Sequence, residues 1–159
     1  VITAPHGYVL GLAFGIILES DLIVAEEGTK IQLTETSRGL GGSKYWSLMQ
    51  FRGASTFATE IALTGRFFSV EEGHAAGIID RVAPKGQYLE VAMDLARQIA
   101  ANPPLSVRAT VRTRRLKMEQ IGREAQAQLN AQKLFLTEDF HEAASAFAEK
   151  RKPNKFKGR

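Results

Sequence analysis

The segment Gly7 to Leu18, GYVLGLAFGIIL, constrains the fold more than any other part of the chain. Its glycines, Gly7, Gly11 and Gly15, recur at a spacing of four, which lines them along one face if the chain is helical from Gly11 onward. A helix apolar nearly all round is expected to be buried. The run spans twelve residues before Glu19 and Asp21 interrupt it, short of the ~20 that a membrane-crossing helix needs. Val1 to Ala4 reads as a strand stopped by Pro5, with a turn at His6-Gly7. Strand, glycine turn and buried helix in that order specify an α/β layer.

The rest of the chain extends this layer and then changes character. Leu22 to Ala25 and Thr29 to Leu33 are short β-type runs around the turn Glu26-Glu27-Gly28, and Glu35 follows the second run directly. Lys44 to Phe51 and Ala54 to Leu63 have helical composition and are divided by Gly53. Ser69-Val70-Glu71-Glu72 is a capping box, predicting a short helix that ends at Gly77. Ile78 to Ala83 reads as a strand closed by Pro84, and Tyr88 to Ala101 as a helix with Leu89, Ala92, Met93, Ala96 and Ile99 on its buried face. Past Asn102-Pro103-Pro104 everything is helix-like, with Thr137 as N-cap of a last helix whose stripe is Phe140, Ala143, Ala144 and Phe147. Residues 1–101 are therefore read as an α/β core and residues 102–159 as a helical annex. The sequence opens on V-I-T-A-P as if entered in mid-strand, and a preceding segment is expected.

Composition excludes several classes of function. With 44% hydrophobic and 24% charged residues, 159 residues suffice for a packed core. The absence of cysteine excludes disulfides, thiolate metal sites and a cysteine nucleophile. No signal peptide is visible, so a cytoplasmic setting is expected. Residues 1–80 hold 5 basic and 9 acidic groups, residues 81–159 hold 16 and 8. A polyanionic partner would meet the second half. Nucleic acid binding through Arg108, Arg112, Arg114, Arg115 and Lys117 is the weaker option, because aromatic interleaving is missing there. His6, His74 and His141 lack ligand-like spacing, so no metal is expected. Gly39-Leu40-Gly41-Gly42 lacks the Lys-Ser/Thr of a phosphate loop.

Two places can carry chemistry. One is the turn into the Gly11 helix, where unpaired backbone N–H groups suit an oxyanion. The other is Glu35, four residues before the glycine turn at Gly39. A carboxylate beside an anion-holding turn is what proton abstraction alpha to a carbonyl requires.

At this point the segments HGYVLGLAFGIILESDLIVA, LTETSRGLGGS, ALTGRFFSVEEGHAAGIIDRVAP and EDFHEAASAFAEKRKP resemble, in order, the signatures of the crotonase superfamily, the enoyl-CoA hydratases and isomerases. The resemblance implies a spiral of β and α units with a C-terminal helical trimerisation region, assembled as a homotrimer or hexamer. It implies an acyl-CoA thioester substrate and no cofactor beyond the CoA of that substrate. The thioester oxygen would be held by two backbone N–H groups, one of them at Leu12 beside Gly11, the other in a segment preceding Val1. Of the two glutamates of the family's hydratases, the first falls on Gly15 and the second on Glu35. A single retained glutamate favours double-bond isomerisation over hydration. Gly39 would lie along the substrate, and Phe147 and Lys150 match positions that contact the CoA nucleotide in relatives. The alternatives are a non-catalytic acyl-CoA-binding or assembly paralogue and, after it, RNA binding.

Overall fold

The computed structural model describes residues 1–159. Six short strands and five helices share the first hundred residues, and two further helices make up most of the remainder. Strand β1 (Ile2–Thr3) is followed by β2 (Tyr8–Leu10) and helix α1 (Leu12–Leu18); β3 (Leu22–Glu26) and β4 (Lys30–Gln32) come next. A 3-10 turn at Thr36–Arg38 leads to α2 (Ser43–Arg52) and α3 (Ser55–Thr64), then β5 (Phe67–Ser69), α4 (Val70–Ala75) and β6 (Arg81–Ala83). The chain ends with α5 (Tyr88–Ala100), α6 (Pro104–Gln132) and α7 (Glu138–Ala148).

The strands form two three-stranded sheets. In the first, β3 lies between β1 and β6 and all pairs are parallel; in the second, β4 lies between β2, parallel, and β5, antiparallel. The chain thus lays β1 and β2, then β3 and β4, in the first and second sheet in turn with helices after each pair, and finally β5 in the second and β6 in the first with α4 between them, which is the crotonase-like spiral. The two runs around Glu26-Glu27-Gly28 are consecutive strands, as read, and belong to different sheets. Gly28, at φ +78°, supplies the left-handed residue that carries the chain across.

One core serves both sheets. Phe14 and Leu18 of α1, Ile23 of β3, Ile31 of β4, Leu48 and Met49 of α2 and Ile61 of α3 are almost fully buried together. Each such side chain contributes about 1.5–3 kcal/mol by leaving water. Helix α1 is buried on one side only, since Leu12 and Ile16 face outward. The capping box at Ser69 and Glu72 is formed, with both reciprocal hydrogen bonds, and Thr137 caps α7 by accepting from the Phe140 N–H.

Several readings are corrected by packing. Helix α5 lies on the first sheet through Tyr88, Val91, Ala92 and Leu95, leaving Leu89 and Met93 exposed. Ile78 and Ile79 are buried but not in a strand, because their N–H groups turn back to the Gly73 carbonyl. On α7 the buried residues are Ala143 and Ala146, while Ala144 and Phe147 face out. No helix is long and apolar enough to cross a membrane.

Candidate active site

Gly11 sets the geometry of the first element. It stands at φ +51°, and a Cβ there would lie 2.7 Å from Thr34 Oγ1 and 3.4 Å from Glu35 Oε1. Only glycine meets both the backbone angle and this approach. The N–H groups of Phe14 and Gly15 donate to the Gly11 carbonyl. Those of Leu12 and Ala13 come ahead of them and are donors that the helix itself does not use.

Glu35 is brought beneath this turn by the 3-10 element rather than by the strand. Strand β4 ends at Gln32, and Glu35 is the N-cap of Thr36–Arg38, its carbonyl accepting from the Arg38 and Leu40 N–H groups. Its carboxylate oxygen Oε2 is buried with no hydrogen-bond partner. Burial pushes the Glu35 carboxyl above its usual range, against an opposing pull from the N–H groups of Glu35 and Thr34. Desolvation disfavours the charged form and makes the carboxylate a stronger base.

A pocket of about 400 Å³ joins Leu12 to Glu35 and continues past Leu40, Gly41, Lys44 and Tyr45 to Leu129, Asn130, Leu134 and Phe135. Glu35 is the one carboxylate lining it. Helix α6 thus closes a mainly apolar chamber over the carboxylate. Tyr45 was not singled out as a site residue from sequence; its phenol is pushed up by burial and then by the charges of Glu35 and Glu19. The Lys44-Tyr45 pair, one residue past Gly41-Gly42, was the available signal.

The other site residues expected from sequence lie elsewhere. Gly39, at φ +72°, faces the backbone of α7, since a Cβ on it would lie 2.8 Å from the Phe140 Cα. Phe147 is exposed near the end of α7 and carries the Arg38 guanidinium at 4.1 Å from its ring centre. Lys150 is exposed just past that helix, at φ +55°. Through Arg38, Phe147 connects to the turn that Glu35 opens, but neither Phe147 nor Lys150 lines the pocket.

A larger cavity of about 800 Å³ lies between the chain start, α2, α5 and α6. Its acids are already engaged. Asp21 is bonded to Arg114 and Arg115, and Asp80 to Arg52. Burial works to raise the Asp21 carboxyl, but Arg115 and the Val1 amine hold it down at about 2. These pairs also occupy two of the basic residues considered for nucleic acid. The smaller pocket is the candidate site, because there a carboxylate oxygen is left without a partner.

Strands spiralling between two sheets, with a glycine turn packed against Glu35, are the architecture of the crotonase class. The family model for enoyl-CoA hydratase/isomerase matches residues 1–159, and the chain belongs to that family. It is 36% identical to the mevalonyl-coenzyme A hydratase of Aspergillus fumigatus, covering 96% of this chain and 58% of that protein. It is 34% identical to the 2,3-dehydroadipyl-CoA hydratase of Escherichia coli, covering all of this chain and 63% of the relative. Among solved structures, a carnitinyl-CoA dehydratase from Mycobacterium avium superposes with a TM-score of 0.87 at 31% identity, over 99% of this chain and 64% of that one. The chain thus spans about three fifths of the length of these relatives.

Proposed function

We propose that this chain carries the acid/base part of an acyl-CoA enzyme in which Glu35 moves a proton alpha to the thioester. The observation that carries the reading is the buried, unpartnered Oε2 of Glu35 in a pocket with no second carboxylate. Isolating a carboxylate costs stability, so a purely structural role does not account for it. The Leu12 N–H takes the thioester oxygen together with a second donor, and charge builds on that oxygen only as the proton leaves. One such preorganised donor is worth about 3 kcal/mol at the transition state.

Isomerisation is favoured over hydration. In a 3-enoyl-CoA, the C2–H bond breaks, Glu35 takes the proton, and the electron pair passes into the enolate. The enolate then re-forms the thioester carbonyl, the double bond moves to C2–C3, and C4 takes the proton back. Glu35 ends as it began, and no other acid or base is needed. A second reading, water addition, draws support from the relatives, which are named hydratases and a dehydratase.

The exposed Leu89, Met93, Leu105, Leu116 and Leu136 give α5, α6 and the following turn an uncovered apolar surface. It supports the proposal that residues 102–159 mediate a trimer-based assembly, which a monomer at micromolar concentration by sedimentation would refute. Glu35→Gln tests the catalytic reading. It keeps size but cannot accept the proton, so turnover of enoyl-CoA should fall by ~10²–10⁴-fold while binding persists. Turnover equal to wild type would rule Glu35 out.

A further inference from the structure

Gly15 and Tyr45 compete for one volume. A Cβ on Gly15 would stand 2.3 Å from Cε1, 2.8 Å from Cζ and 3.0 Å from the hydroxyl of Tyr45. No side-chain atom tolerates the first two separations, and the obstacle is a rigid ring rather than the tip of a flexible chain. The ring is anchored, because Tyr45 packs against the main core and its helix neighbours Leu48 and Met49 are buried. A carboxylate growing from position 15 therefore cannot coexist with Tyr45. The same ring lines the pocket beside Glu35.

What the ring replaces matters for the chemistry. Water addition by two carboxylates needs one group to hold and activate the water while the other handles the carbon-bound proton. A phenol kept neutral by burial and by the charges of Glu35 and Glu19 does not take a proton from water. Nor can it be bonded to Glu35 Oε2, which has no partner.

We propose that Tyr45 determines the reaction specificity of this site: its ring fills the volume in which a carboxylate at position 15 would hold and activate a water, so the proton taken by Glu35 returns to the acyl chain. The inference rests on the Glu35 reading and deepens it.

The test measures isomerisation of a 3-enoyl-CoA and hydration of a 2-enoyl-CoA by the intact gene product. The variants are Glu35→Gln, Tyr45→Phe, Tyr45→Ala and the double variant Tyr45→Ala with Gly15→Glu, each checked for native circular dichroism. Tyr45→Phe keeps the ring and should keep the ratio of hydration to isomerisation on the isomerisation side. The double variant should raise that ratio by at least about tenfold, with Tyr45→Ala moving it the same way by less. A ratio unmoved in both Tyr45→Ala and the double variant overturns the assignment of Tyr45 and leaves Glu35 standing. So does a ratio moved as far by Tyr45→Phe as by Tyr45→Ala, since the hydroxyl would then be the acting group. Full activity in Glu35→Gln overturns both readings together.

Discussion

The Cα of Phe140 stands 2.8 Å from where a Cβ on Gly39 would be, so the first turn of α7 rests directly on the backbone of the turn that Glu35 opens. The last helix is thereby fastened to the Glu35 segment by the lack of a single methyl group. Any side chain at position 39 separates the two.

Gly39→Ala should destabilise the fold by about 1–3 kcal/mol from its left-handed backbone alone, and by more once Phe140 is displaced. Gly28→Ala separates the two contributions, since Gly28 has a similar φ of +78° but open space around it. Urea unfolding of both variants provides the measurement. Equal losses would show that the contact with Phe140 carries no energy.

Glu35 ties activity and stability to pH in opposite directions. Its carboxyl is raised in the folded protein. The folded state therefore binds its proton more tightly than the unfolded state, and the stability it contributes, complete below the ordinary glutamate range, is lost as pH rises through the folded value. With Glu35 as the proposed base, activity needs the ionised form, so kcat/KM should rise over that same interval, with its acidic limb above the ordinary glutamate range. Glu35→Gln should accordingly raise Tm at pH 8 more than at pH 4. A Tm difference independent of pH would show that the carboxyl is not perturbed.

Arg52 fastens α1 to the segments around it. Its side chain is only 5% exposed. It donates to the carbonyls of Leu18, Ser20 and Ile78 and pairs with Asp80. A lysine cannot reach these acceptors as a planar fork, so Arg52→Lys should cost about 2–4 kcal/mol. Denaturant melts would show it, and a loss below a few tenths of a kcal/mol would mean that water replaces the guanidinium freely.

Lys150 is expected to act on the CoA phosphates through open solvent. Lys150→Ala should weaken CoA binding more at low ionic strength than at high, because exposed charge pairs are screened within a Debye length of ~10 Å. Titration calorimetry at two salt concentrations reads the difference. An affinity unchanged at both removes Lys150 from the nucleotide site.

Local chemistry explains what could be read from the sequence. The division of α2 from α3 was visible because Gly53 is followed by a fresh helical run, and its φ of +109° shows why glycine stands there. The caps at Ser69 and Thr137 depend on side chains within three residues of the backbone they serve. Glu35 was legible as an acid beside glycine-rich turns, and its kinship with the crotonase signatures gave it a role. Strands β2 and β5 were not, because β2 belongs to the same apolar run as α1 and β5 passes straight into the capping box of α4. The docked face of α5 was misread because a sheet selected Val91 and Leu95 over Leu89 and Met93. The roles of Tyr45 and Arg52 could not be assigned from their local sequence. Their partners, Gly15 and the carbonyls at Leu18 and Ser20, are distant in the chain and meet them only after α2 docks on α1.

The alternation of strands between two sheets also governs the order in which this chain can fold. Ile2 lies opposite Leu22, Tyr8 opposite Lys30, Lys30 opposite Ser69 and Val24 opposite Arg81, so no strand meets its partner across a hairpin. Every ladder must close a loop before its hydrogen bonds repay the lost chain entropy, and such topologies fold slowly. The helices need no such closure. The sheets that position Glu35 and the Gly11 turn should therefore form late, and a refolding chain should be helical before its two sheets assemble.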